Sequence, residues 1–108
     1  MAKTIKFSAH TKSYLDELTK ELYYKNYFSF FDSSIEYVDL LIDYIVENVL
    51  KNIHKKSPII LAKYGSFYLT YNSTKRTTWY IFFEMDETQV LITHISNNYK
   101  KEMSIINC

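Results

Sequence analysis

Arg76 is the only arginine in a chain of 108 residues, and Lys75 precedes it at the break between two runs rich in β-branched and aromatic residues. A guanidinium at such a turn can hold a phosphate with two parallel hydrogen bonds, although a charge in a loop is commonly only solvated. His94 can take or give a proton at neutral pH; it also sits inside the apolar run Val90 to Ile95, where a packing role is the commoner one. Tyr99 has an apolar body and a polar tip, which suits stacking on a base as well as packing. Asn97 and Asn98 can bond a base edge, cap a strand end or turn the chain into its tail, and the turn is the most frequent use of that pair. Lys63 and Tyr64 complete a basic and aromatic set of the kind that grips single-stranded nucleic acid.

Other chemistries lack their residues. No glycine-rich phosphate loop and no cluster with metal-ligand spacing occurs, so neither a cofactor nor a metal is expected. The single cysteine, Cys108, excludes an internal disulfide and a CxxC site, and a reducing cytoplasm fits best. The opening segment has no apolar signal core and no run approaches the length of a membrane span, so no membrane association is expected. Residues 1–50 hold five Lys against eight acids, a net −3, while residues 51–108 hold seven Lys and Arg76 against four acids, a net +4. The basic half suits an anionic partner, at a charge well short of a dedicated duplex binder.

The elements that must position these groups follow from periodicity. One glycine, one proline and 47% hydrophobic residues describe a single domain, 1–108, with much regular structure and a tail over 99–108. Phe67 to Asn98 reads as a three-stranded antiparallel meander with breaks at Asn72 to Arg76 and Asp86 to Thr88. In its central run, Trp79, Ile81 and Phe83 face one side while Tyr80 and Phe82 face the other. Thr4 to Ser8 alternates as a short strand. Tyr14, Leu15, Leu18 and Leu22 make the stripe of a first helix ending near Lys25, and Phe28, Phe30 or Phe31 is expected to pin the connection after it. Ser33 and Glu36 have capping-box spacing and are expected to start a second helix. Its buried stripe is Ile35, Val38, Ile42, Ile45, Val49 and Ile53, widened by Leu41 and Val46, and it closes with His54, Lys55 and Lys56 before Pro58. Gly65 is expected to take a backbone angle closed to other residues. The fold class is α+β, ordered β-α-α-β-β-β, with both helices on one face of a small, mainly antiparallel sheet and the other face left as a binding surface.

From about Lys25 to Asn98 the sequence resembles the RelE/ParE superfamily of bacterial toxins. The resemblance rests on KNYFSFFDSSIEYVDLLIDYI, on KYG at Lys63 to Gly65, on KRTTWYIFFE at Lys75 to Glu84 and on ITHISNN at Ile92 to Asn98. Phe31 stands where the family usually has proline, and Tyr99 where the NN pair is usually followed by histidine. The resemblance implies the toxin of a type II toxin–antitoxin system, neutralised by a cognate antitoxin. It implies either a ribosome-dependent mRNA endoribonuclease, metal-independent, with Arg76, His94 and Tyr99 as catalytic groups and Lys63, Tyr64, Lys75, Asn97 and Asn98 on RNA, or a non-catalytic toxin that binds DNA gyrase. A third reading is a protein-interaction module without chemistry, which the many tyrosines and Ile105-Ile106 also suit.

Overall fold

A computed structural model describes residues 3–24, 31–51, 54–101 and 103. The order is β1 (Thr4–Phe7), α1 (Ala9–Tyr24), α2 (Phe31–Asn48), β2 (Lys55–Lys56), a 3-10 turn (Ile59–Leu61), β3 (Phe67–Asn72), β4 (Thr78–Met85) and β5 (Gln89–Asn97). The five strands form one sheet in the order β1-β5-β4-β3-β2. Only β1 and β5 run parallel, so the sheet is mainly antiparallel, with two N-terminal helices before the meander, as expected. Among the described residues no helix is long and apolar enough to cross a membrane.

The central strand divides its side chains as its alternation predicts. Trp79, Ile81 and Phe83 join Leu69, Val90, Ile92 and Ile95 beneath Leu15 and Leu18 of α1 and Val38, Leu41, Ile45 and Val49 of α2 and its C-terminal turn. Tyr80 and Phe82 enter a second, smaller cluster with Leu61, Tyr68 and Met103. The far face is therefore covered, by the 3-10 turn and the turn leading to Met103, and is not the open surface expected. A stack of two aromatics in a central strand is too apolar to leave in water, so the chain spends its connection and its tail on them.

The helix ends differ from the expectation. Ser8, not Ser33, does the capping: its hydroxyl accepts the Thr11 N–H at 3.1 Å, and Thr11 Oγ1 donates to the Ile92 carbonyl at 3.0 Å, tying the start of α1 to β5. Ser33 lies inside α2, which already includes Phe31. The stripe of α2 is narrower than read. Val38, Leu41, Ile45 and Val49 are buried, Ile42 is half-buried, and Ile35 and Val46 are exposed. The helix stops at Asn48, and Lys55 and Lys56 pair with Phe67 and Tyr68 as an edge strand instead of closing the helix. His54 packs edge-on against Phe67 and Phe83. The expectations for Phe28, Phe30, the Phe31 side chain, Ile53 and Ile105-Ile106 lie outside the described residues.

Gly65 is required for space rather than for an unusual backbone angle. A Cβ there would meet the Phe83 nitrogen at 2.7 Å and Thr93 Oγ1 at 2.8 Å. The close approach falls where β5 carries an irregularity: Phe82 pairs with His94 and Phe83 with Ile92, so Thr93 is the extra residue. Its hydroxyl donates toward the carbonyls of Tyr64 and Phe82, which fastens the segment after the 3-10 turn to the sheet.

Candidate functional site

The sequence candidates separate into two groups. The first lies at the end of the sheet where β3 turns into β4 and β5 stops. Asn98 is the clamp of that end: its Oδ1 accepts the Thr78 N–H at 2.9 Å, its Nδ2 donates to the Arg76 carbonyl at 3.0 Å, and its own N–H donates to the Thr78 carbonyl at 3.0 Å. Tyr99 adds to it, its hydroxyl donating to the same Arg76 carbonyl at 3.1 Å, and Asn97 Oδ1 accepts the Tyr99 N–H at 2.9 Å. Thr74 Oγ1 accepts the N–H groups of Arg76 and Thr77, the usual way a threonine closes a short turn.

These bonds hold the backbone of Arg76 and leave its side chain exposed beside that of Lys75. The ring of Tyr99 is 67% exposed, although its hydroxyl is held. Two cations and an aromatic face are thus presented on a fixed frame, which suits contact with phosphate and stacking on a base. Beneath Tyr99 a groove of about 510 Å³ runs between α1 and the sheet end, lined by Leu18, Leu22, Tyr37, Thr77, Asn97 and Tyr99. Its inner wall is set by Trp79, whose Nε1 donates to the Tyr37 hydroxyl at 3.0 Å while that hydroxyl lies 2.8 Å from Ser73 Oγ. Asn97 and Thr77 therefore face the groove, whereas the amide of Asn98 is engaged in holding the hairpin.

The second group is built around His94, in the middle of β5. Tyr64 stacks on its ring at a centroid distance of 4.2 Å and 13° between planes, and Lys63 Nζ lies 5.3 Å from the centre of the Tyr64 ring. His10, which the sequence reading missed, supplies a third ring from α1, with Nε2 at 3.3 Å from Nδ1 of His94. Nothing in the sequence announces this pair, because it depends on β1 and β5 lying parallel and delivering α1 beside the middle of β5.

His94 pairs with Phe82 on the far face, while Asn97 pairs with Trp79 on the helix face. Three residues of strand, about 10 Å at ~3.3 Å per residue, and the thickness of the sheet separate them. The structure brings Arg76, Lys75, Tyr99 and Asn97 together and places His94, Tyr64 and Lys63 elsewhere. Among the described residues no group of three His, Cys, Asp or Glu side chains is arranged to hold a metal. The chain matches no family model, no curated protein and no solved structure.

Proposed function

We propose that this chain is the toxin of a type II toxin–antitoxin pair, acting in the cytoplasm on ribosome-bound mRNA and held inactive by a cognate antitoxin. The observation that carries the reading is the end of the meander, where Asn98 and Tyr99 fix the Arg76 backbone and leave its guanidinium, Lys75 and the Tyr99 ring facing outward. The β-α-α order before the meander and the resemblance of the KRTTWYIFFE and ITHISNN segments support it. On this reading Arg76 neutralises charge on the phosphate, Lys75 adds attraction, and Tyr99 stacks on the base and is the proton carrier nearest to it.

A second reading, a toxin that binds DNA gyrase without chemistry of its own, is favoured by one observation. His94, the best proton carrier of the set, belongs to the far-face group and not to the Arg76 end. Induced expression of the wild type beside an Arg76→Ala, Tyr99→Phe double variant, with mRNA 5′ ends mapped in both, separates the readings. New cleavages that accompany growth arrest and vanish in the variant support the ribonuclease. Arrest without cleavage supports the gyrase reading, and normal growth with a folded protein overturns both.

A further inference from the structure

The groove beneath Tyr99 combines apolar walls with a small set of polar groups. Its volume of about 510 Å³ falls within the range of sites that take a small molecule, roughly 300–1,000 Å³. Leu18 and Leu22 of α1 line it together with Tyr37 and Trp79, whose rings meet edge to face at 6.4 Å. The indole N–H of Trp79 is engaged by the Tyr37 hydroxyl at 3.0 Å, so the indole offers a guest contact area and no donor.

Polar groups stand on both walls. Glu21 lines the groove from α1, and a carboxylate only accepts hydrogen bonds. Asn97 lines it from the end of β5; its Oδ1 takes the Tyr99 N–H at 2.9 Å, which fixes the amide and makes Nδ2 the donor that can serve a guest. Thr77 lines it as well, and Lys75 and Arg76 come directly before Thr77 in the chain. Over the opening stands the exposed ring of Tyr99, its hydroxyl held on the Arg76 carbonyl at 3.1 Å.

Such a groove suits a guest with a flat body, an anionic end for Arg76, and an edge with donors for Glu21 and an acceptor for Asn97. A nucleotide has the body and the phosphate. Among the four bases the edge decides. Guanine alone sets two donors side by side, its ring N–H and its amino group, next to a carbonyl; a carboxylate takes both donors and an amide N–H meets the carbonyl. Adenine and cytosine put a ring acceptor beside the amino group, where a carboxylate repels it, and uracil has one N–H between two carbonyls.

We propose that the groove is a guanine pocket, with the base under the Tyr99 ring against Glu21 and Asn97 and its phosphate on Arg76 and Lys75. The inference rests on the reading of Arg76 and Lys75 as phosphate contacts and adds the base that this end selects. The guanine can arrive in a single strand or as a free nucleotide, since both present the same edge and phosphate.

The chain has one tryptophan, so a single indole N–H resonance reports on the groove. The nitrogen-labelled full chain is titrated with GMP, AMP, CMP and UMP, and with the RNA pentamers UUGUU and UUAUU. Saturable shifts of the indole and of the Asn97 side-chain amide are expected, with GMP bound at least about tenfold more tightly than the other three, the scale of a hydrogen bond to a charged group. Glu21→Gln is expected to bring all four nucleotides within about threefold of one another. Arg76→Ala should weaken all four alike and keep the preference. Tighter binding of UUGUU than of GMP assigns the guanine to a strand and the reverse to a free nucleotide, and the pocket stands in either case. Equal affinity for the four bases, no shift with any of them, or a guanine preference unchanged in Glu21→Gln overturns it. So does a groove that takes tetramethylammonium and no nucleotide, which would make the aromatic lining a seat for a cation. The toxin reading fails separately: a chain that selects guanine without growth arrest or mRNA cleavage keeps the pocket and loses the ribonuclease, and cleavage by a chain that binds no GMP does the reverse.

Discussion

His10 and His94, 84 residues apart in the chain, share a hydrogen bond: Nε2 of one lies 3.3 Å from Nδ1 of the other, with the rings 6° from parallel. The bond requires one nitrogen with a proton and one without, so it fixes the tautomer of one ring through the other. His10 is exposed, and its replacement by alanine is expected to change stability by no more than about 1 kcal/mol. The imidazole nitrogens of His94 should respond instead. Long-range proton–nitrogen spectra of the ring are expected to show the Nδ1 resonance displaced in His10→Ala, and an unchanged resonance would mean that the pair does not form in solution.

Gly65 is a second point where one atom decides an arrangement. The segment that carries Leu61 and Tyr64 over the far face passes so close to β4 that an added methyl group would sit 3.0 Å from Phe82 Cβ as well as against the Phe83 nitrogen. Neither neighbour is the free end of a flexible side chain. Gly65→Ala is therefore expected to destabilise the protein by about 1–3 kcal/mol, read as a lower urea midpoint with an unchanged slope. A midpoint equal to that of the wild type would show that the crossing relaxes freely.

These two contacts also mark what the sequence conceals. Strand limits were legible because the runs between Phe67 and Asn98 are rich in β-branched and aromatic residues and their breaks hold Asn72, Ser73, Asp86 and Glu87, and the two faces of β4 follow from its period of two. The cap of α1 was not, since Ser8 stands without the acidic partner that makes a capping box visible, while the Ser33 and Glu36 spacing that does look like one falls inside α2. The far-face cover escaped for a related reason: Leu61, Tyr64 and Met103 are scattered through segments with no period, so only tertiary packing assembles them. At the candidate site, residues near one another in sequence, such as Lys75 with Arg76 and Asn97 with Tyr99, lie together at the end of the sheet. His94 lies apart from them, because three residues of regular strand separate it from Asn97 and an odd spacing turns the two side chains to opposite faces.

Asp86 ties the β4–β5 turn to the pH. Its Oδ1 accepts the Thr88 N–H at 2.8 Å, the Gln89 N–H at 2.9 Å and the Thr88 hydroxyl at 3.0 Å. The backbone bond from Thr88, then that from Gln89, hold its carboxyl below the ordinary value of 3.8. A folded-state value below the unfolded one means stability that is present above the unfolded pKa and lost as pH falls through the folded one. Asp86→Asn is expected to flatten the acid limb of a stability–pH curve below about pH 4, measured by urea unfolding. A limb as steep as that of the wild type would assign the acid sensitivity to other carboxylates.

Arg76 and Asn98 provide the sharpest separation of function from scaffold, because one presents the candidate charge and the other holds its backbone. Arg76→Ala removes an exposed side chain and keeps the carbonyl that Asn98 and Tyr99 grip, so stability should stay within about 0.5 kcal/mol of the wild type. Asn98→Ala deletes two side-chain bonds to the hairpin and is expected to cost about 1–2 kcal/mol. If the chain is the toxin proposed above and the sheet end is its working surface, Arg76→Ala abolishes growth arrest at full stability, and Asn98→Ala weakens arrest only in proportion to the protein it unfolds or misplaces. Urea midpoints measured beside growth curves on induction give both numbers for each variant. Full arrest from Arg76→Ala would move the working surface away from this end, and the group around His94 and Tyr64 would then be the one to substitute.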